Sequence, residues 1–413
     1  MSAATGLRTV EEHLDLILAE VRRLPALDVP LAEAAGLTLA RPVAARIDIP
    51  PFDNSAMDGF AVRYDDVAAA DAAPPTLRVI ADLPAGTAED PALRPGEAAR
   101  IMTGAPVPAH ADAIVPFEDT RDGLAGRLAP VVVERAPAAR GAFIRRRGDD
   151  LRAGDEVLPA GEPLGALSLA AAAAAGVAGT VSVVRRPRAV IVSTGAELAE
   201  PGAALSRGRI PDSNATLLAA LVRGAGGEVV RIARVGDDTA GLRAVIADAA
   251  SADVVITSGG VSEGAYEVVK TVLSGRVEFA KVAMQPGKPQ AFGRLGGGPL
   301  VFGLPGNPVS VAVSFEVFVR PALLAMQGRN TVLRPVIRLA ASAGWRTPPG
   351  RRQYLPAAVD RDDPARWTVR PATAGGSGSH LAGGLARAEA YAVVPADVAL
   401  VATGDPVDVM LLS

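Results

Sequence analysis

The sequence predicts a multidomain α/β plus β protein, with a central doubly wound α/β domain between β-rich segments. Three observations carry that reading. Between Arg188 and Gln327, apolar runs of strand length alternate with patterns of helical period. From Thr76 to Val133, and again from Arg334 onward, short β-type runs are split by proline and glycine. The 413 residues also exceed what one core organises, at about 100–200 residues per domain.

Composition narrows the function classes. Hydrophobic residues make up 49% and charged ones 21%, the balance of a soluble globular chain with a sizeable core. A formal net charge of −3 argues against a general nucleic-acid or anionic-membrane binder, so any anion site must be local. Without cysteine there are no disulfides, thiolate metal sites or thiol nucleophiles, which fits a reducing compartment. The histidines are His13, His110 and His380, too few for a histidine-rich metal centre. A metal here would be Mg²⁺ held by carboxylates and phosphates. The N-terminus lacks a basic stretch followed by an apolar one. The uncharged run Leu164–Val184 is long enough to span a bilayer, but Gly176 and Gly179 break it, and a short helix followed by a strand accounts for it better. The resulting expectation is a cytoplasmic protein.

Taken in order, Val10–Leu24 has an amphipathic helical pattern ended by Pro25, and Val29–Leu39 is expected to hold a second short helix. The stretch Ile49–Val62 contains Pro50 and Pro51, then Asp53-Asn54-Ser55 and Asp58-Gly59 between Phe52 and Phe60. It reads either as a shaped recognition loop or as a surface turn capped by its own side chains. In the β-rich segment, strands are expected at Leu77–Ala81, Ala98–Thr103, Ala113–Phe117 and Val131–Val133. Thr103-Gly104 falls at a strand end, where ligand loops commonly sit. Ile144–Asp150 holds three arginines followed by two aspartates, a pattern most often found on a solvated face.

The central domain is expected to place strands at Ala189–Ser193, Val229–Val235, Val254–Thr257, Val277–Val282 and Leu300–Phe302. Helices fall at Ala215–Arg223, Thr239–Ala250, Tyr266–Leu273 and Val309–Ala325. Asn214 and Asp238 or Thr239 suit helix N-caps. Alternation of this kind implies a largely parallel sheet that binds ligands at the carboxyl ends of its strands. Those ends carry the polar chemistry: Ser193-Thr194-Gly195-Ala196-Glu197, Gly236-Asp237-Asp238, Ser258-Gly259-Gly260-Val261-Ser262 with Glu263 and Glu267 behind it, Gln285-Pro286-Gly287-Lys288-Pro289, and Gly303–Pro308. Glycines let the backbone approach an anion, and a following helix N-terminus favours negative charge. Asn307 as N-cap and Pro308 as first helical residue also suit a purely structural role. Only three of the 42 basic residues are lysines, Lys270, Lys281 and Lys288, all within this region. Arginine-biased composition explains that, and so does a need for a compact point charge. Together the five loops have the composition of a phosphate-plus-Mg²⁺ site. The last segment is expected to form strands at Val336–Ala340, Gln353–Val359, Thr368–Pro371, Ala390–Val394 and Pro406–Leu412, making a small barrel or sandwich. The loop Gly375–His380 lies among them.

These loops resemble those of the bacterial MoeA proteins and the gephyrin E domain, the molybdopterin molybdenumtransferases. The resemblance rests on Pro51–Gly59, Arg100–Ala105, Ile144–Asp150, Ser193–Gly195 with Glu197-Leu198, Ser258–Ser262, Pro286–Pro289 and Leu304–Pro308, in the family's order along almost the whole chain. It implies four domains in an elongated, L-shaped subunit: 1–50 with 140–180 as a linking and dimerisation domain, 51–139 as a β-rich domain, 181–327 as the molybdopterin-binding α/β domain, and 328–413 as a C-terminal β-barrel. It implies a homodimer whose site lies between one subunit's α/β domain and the partner's β-rich domain. The implied reaction cleaves adenylylated molybdopterin, inserts molybdate at the dithiolene and releases AMP with Mg²⁺, and an upstream adenylyltransferase is the implied pathway partner.

By the same resemblance, Asp58 and Thr103 reach across the dimer, and Glu197, Asp238 and Glu267 serve the metal or pterin. Ser193, Thr194, Gly195 and Ser258–Ser262 bind the cofactor substrate. Lys288 and Lys270 pair with oxyanions, Pro305, Gly306, Asn307 and Pro308 shape the pocket, and Arg351 with Ser377 or Ser379 approaches from the C-terminal domain. Four positions depart from the common pattern: Gln285 stands for a lysine, Glu267 for an aspartate, Phe60 for a tyrosine and Phe143 for an asparagine. The competing readings are a divergent paralogue acting on another nucleotide phosphate ester and a non-catalytic scaffold.

Overall fold

Apolar β-branched runs build the central sheet of the computed structural model, which describes residues 6–121, 126–261, 268–373 and 382–412. Four parallel strands, Arg188–Thr194, Glu228–Val235, Val254–Ser258 and Leu300–Leu304, form its body. Two further strands, Pro289–Arg294 and Glu278–Lys281, continue it in antiparallel sense beyond Leu300–Leu304. The strand Pro289–Arg294 was not expected, since its proline-flanked pattern carries a glycine near its end. It runs back as a hairpin with Leu300–Leu304, so the sheet is mixed and not wholly parallel.

Helices cover both faces of that sheet. On one face, Leu218 and Val222 of the helix Ser213–Gly224 pack with Ile191, Ile256 and Phe302. On the other, Leu242, Val245 and Ile246 of Thr239–Asp248 pack with Val190, Val192 and Val301. The expected last helix is a continuous stretch from Pro308 to Met326 with a π-helical turn at Phe315–Val319. Among the described residues it is the one helix long and apolar enough to cross a membrane, yet 89% of its apolar window is buried inside the protein.

The β-rich segment is a six-stranded sheet containing Gly59–Val62, Thr76–Leu83, Glu97–Ile101, Ala113–Pro116 and Val131–Val133. At the C-terminus, Val336–Ala341, Arg352–Asp360, Thr368–Pro371, Ala390–Val394 and Pro406–Leu411 close into a five-stranded barrel. The barrel is joined to the α/β region by main-chain pairing. Met284 and Gln285 lie parallel to Arg352 and Gln353 and add a short strand to its edge.

Two expectations fail near the N-terminus. In place of a second helix over 29–39, Ala26–Pro30 is a strand paired antiparallel with Thr180–Val184, followed by a single 3-10 turn at Leu31–Glu33. Pro25 and Pro30 bracket a segment too short for a helix, and the partner strand satisfies its backbone. The first helix, Val10–Glu20, is capped by Thr9 through a capping box. It packs Val10 and Ile17 into the same core as Phe318 and Met326. This helix therefore rests on the α/β region and not on the linking segments, because its apolar stripe finds its partners there.

Candidate functional site

The loops after the parallel strands enclose a cleft of about 680 Å³. Thr194, Gly195, Glu197 and Leu198 line it from the first strand, and Asp237 from the second. Ser258–Val261 line it from the third, Gln285–Pro289 from the short strand beside the barrel, and Pro305–Pro308 from the last parallel strand. All of its lining residues fall between 194 and 310. Convergence of strand ends is what parallel α/β topology dictates, since every crossover returns the chain to the same edge.

The glycine turn after Val254–Ser258 is held by packing as much as by any ligand. Gly259 and Gly260 have φ of +89° and +69°, the left-handed region. A Cβ on Gly259 would lie 2.7 Å from the Thr194 carbonyl oxygen, and one on Gly260 would lie 2.8 Å from Val269 Cγ2. The Gly259 N–H already donates to the Leu304 carbonyl at 2.9 Å, and Val261 is buried in the apolar core. The Gly260 and Val261 N–H groups meet no acceptor among the described residues, so with Gly259 committed the turn is a narrower anion cradle than its sequence implies.

Beneath the cleft lies a polar seam that sequence reasoning did not single out. Asp212, 1% exposed, caps the helix Ser213–Gly224 by accepting from the Ala215 N–H at 3.1 Å. Its Oδ1 also accepts from the Ser193 hydroxyl at 3.1 Å, and its Oδ2 from Arg234 Nε at 3.3 Å. The cap is therefore Asp212 and not Asn214. Asn214, 7% exposed, donates instead to the Gly306 carbonyl at 2.7 Å, tying two cleft loops together, while its Oδ1 is buried with no partner. The triplet Asp212-Ser213-Asn214 opening a helix was the available signal, and its capping pattern concealed it. Thr194 is likewise inward, donating to the Ser258 carbonyl at 3.2 Å.

The carboxylates divide into committed and uncommitted groups. Asp238 is the N-cap of Thr239–Asp248, and its two oxygens accept from the Ala240 and Gly241 N–H groups at 2.9 Å each. With both oxygens in a cap it is poorly placed as a metal ligand, and its neighbour Asp237 lines the cleft. Glu197 lines it as well, its carboxylate folded over Gly195. Among the described residues no group of three or more His, Asp or Glu side chains could hold a metal unaided. Glu197 and Asp237 do fit Mg²⁺ that takes its remaining ligands from water and substrate phosphates, the usual way that ion is bound.

Cations come from three places. Lys288 is exposed in the cleft with no partner among the described residues. Arg351, from the barrel, donates through Nη1 to Gln285 Oε1 at 2.6 Å. Lys270 is exposed on the short helix Val268–Leu273, outside the cleft lining, with its backbone N–H on the Gly260 carbonyl. Ser262, Glu263, Glu267, Ser377, Ser379 and His380 lie outside the described residues.

Asp58 and Thr103 meet each other, away from their own chain's cleft. Asp58 Oδ1 accepts from the Thr103 N–H at 2.7 Å and its hydroxyl at 2.8 Å. The Thr103 backbone donor first, and its hydroxyl second, hold the Asp58 carboxyl below the usual range. Asp58 is exposed, ionised and oriented. The loop behind it is braced by the Ala56 N–H on the Phe143 carbonyl, with Phe143 itself at φ 58°.

Three family models match the chain. Residues 8–176 match the MoeA N-terminal region (domain I and II), 190–325 a probable molybdopterin binding domain, and 338–412 the MoeA C-terminal region (domain IV). Among characterised relatives, molybdopterin molybdenumtransferase 2 of Mycobacterium tuberculosis is 44% identical, over 98% of this chain and 99% of the relative. The molybdopterin molybdenumtransferase of a Nostoc species is 38% identical, over 93% and 88%. The solved structure of a molybdopterin biosynthesis MoeA protein from Pyrococcus horikoshii OT3 superposes with a TM-score of 0.83 at 28% identity, covering 98% of this chain and all of the other. A second structure from that organism gives 0.79 at 31% identity.

Proposed function

We propose that this chain, which belongs to the MoeA family of molybdopterin molybdenumtransferases, inserts molybdate into adenylylated molybdopterin and releases AMP, using the cleft at the ends of its parallel strands. The single observation that carries the reading is the convergence in one cleft of Lys288, the Gly260 N–H and the carboxylates Glu197 and Asp237, none of them paired among the described residues. Cations and N–H donors suit molybdate and the phosphoanhydride, both of which carry multiple negative charges. The reacting sulfurs belong to the substrate, so the absence of cysteine is no obstacle.

On this reading Lys288 binds an oxyanion and stabilises charge as the anhydride breaks, and Asn214 and the Pro305–Pro308 loop shape the pocket floor. Mg²⁺, held between Glu197, Asp237 and substrate oxygens, would supply charge neutralisation at the phosphates. Asp58, pinned by Thr103, enters the cleft of a second subunit, since it does not line its own. The functional unit is accordingly a homodimer, in which the segments 1–50 with 140–180, apart from the helix Val10–Glu20 that packs on the α/β region, form the dimerising link, and an upstream adenylyl-transferring enzyme supplies the substrate. A cytoplasmic setting accompanies this reading, supported by a cysteine-free sequence.

The test is direct. Purified protein given adenylylated molybdopterin, molybdate and Mg²⁺ releases AMP, and AMP release falls when Mg²⁺ is chelated. Absence of AMP release under every divalent cation tried would overturn the proposal.

A further inference from the structure

Gln285 stands where two domains meet. It lines the cleft, forms with Met284 a short strand on the barrel edge, and accepts at Oε1 from Arg351 Nη1 at 2.6 Å. No carboxylate pairs with Arg351 among the described residues. By contrast, the adjacent Arg352 pairs with Glu11, and Arg334 with Glu316 at 2.9 Å. A neutral amide fixes a guanidinium without cancelling its charge, whereas a carboxylate at the same place would neutralise it and a lysine would repel it. With Oε1 committed, the other polar end of Gln285 is an N–H₂ group that can only donate. Apart from the second lone pair of Oε1, the polar capacity left over by this pair is therefore all donor.

We propose that Gln285 is a positioning residue for the reaction, holding the Arg351 guanidinium un-neutralised at the barrel side of the cleft so that its charge serves a tetrahedral oxyanion of the substrate. This rests on the function proposed above and specifies how the barrel takes part in it. The ligand chemistry is a phosphate or molybdate oxyanion. Gln285 acts through Arg351, and the main-chain pairing of Met284–Gln285 with Arg352–Gln353 fixes the distance between them.

The experiment titrates full-length protein with AMP and, separately, with molybdate, at low and high salt. Wild type is compared with Gln285→Met, Gln285→Glu, Arg351→Ala and the double variant Gln285→Met/Arg351→Ala. Methionine keeps the side-chain length and packing but loses the acceptor, and glutamate keeps the geometry but neutralises the guanidinium. Arg351→Ala is expected to weaken oxyanion binding about tenfold and to flatten its salt dependence. Gln285→Glu should match it, and Gln285→Met should lose about threefold. The double variant should be no weaker than Arg351→Ala alone, because Gln285 has nothing left to position. Loss confined to AMP assigns the phosphate, and loss confined to molybdate assigns the metal oxyanion. Fully additive losses, a Gln285→Glu variant that binds like wild type, or a wild type that binds neither oxyanion would each overturn the inference. The outcome is separable from that of the function itself: AMP release by wild type with additive variants would sink only the positioning role, while the expected binding pattern without AMP release would sink only the reaction.

Discussion

The cleft leaves its donors free, whereas the Asp58 loop commits its donors to one carboxylate. In the cleft, Lys288 and the Gly260 N–H face no acceptor among the described residues. In the β-rich domain the Thr103 N–H and hydroxyl both converge on Asp58 Oδ1. One region is a receptor with unmet donors, and the other is an anionic finger oriented through one carboxylate oxygen, whose second oxygen, Asp58 Oδ2, accepts from no described residue. Each lacks what the other presents, and the finger does not line the cleft of its own chain. On the function proposed above, the difference divides the site between two surfaces, of which the cleft of one chain holds only the first.

The sharpest way to break that division is Asp58→Ala. Turnover should fall by about a hundredfold or more, the usual scale for a positioned acid or base, while the melting temperature falls only slightly, because the two Thr103 bonds lost lie at an exposed site. Next comes Lys288→Met, for which AMP affinity should drop about tenfold, with the loss shrinking at high salt. Normal affinity in a binding titration would remove the lysine from the receptor side.

The neighbours Asp237 and Asp238 separate site from scaffold within the cleft region. Asp238→Ala should cost about 1 kcal/mol in denaturant unfolding through loss of its helix cap, with metal dependence unchanged. Asp237→Ala should leave stability alone and raise the Mg²⁺ concentration needed for half-maximal activity. A reversed pattern would restore Asp238 as the ligand.

The smallest effect expected is on the finger's protonation. Thr103 holds the Asp58 carboxyl below its ordinary range, so the acid limb of the activity profile should lie below that range. Removing a donor raises the pKa, and Thr103→Val should therefore move the acid limb to higher pH. The shift should be partial, since the Thr103 N–H remains. An unmoved limb would mean that another group titrates.

Much of the scaffold was legible because it follows period and punctuation. Strands such as Val131–Val133, Thr368–Pro371 and Ala390–Val394 lie where alternation and turn residues put them. The antiparallel strand Pro289–Arg294 was hidden by its prolines and glycine, and Ala26–Pro30, at the start of the segment expected to be helical, is a strand only because a distant partner, Thr180–Val184, is there to pair with it. The cleft loops could be read from glycine, proline and lysine at strand ends. The cap at Asp238 was among the expected ones, but other hydrogen bonds could not be read: Gly259 looked free and serves the sheet, the cap expected at Asn214 is made by Asp212, and the bond between Gln285 and Arg351 crosses 66 residues of sequence. Such pairings are decided by tertiary geometry, which no local pattern encodes.

The most direct test of a site divided between subunits is complementation. Asp58→Ala and Lys288→Met chains, differently tagged, are co-expressed, and the mixed dimers are purified and assayed for AMP release. Each mixed dimer holds one site carrying both lesions and one carrying neither, so it should recover about half of wild-type activity, as two-fold symmetry requires. Mixed dimers as inactive as either parent would contradict the account.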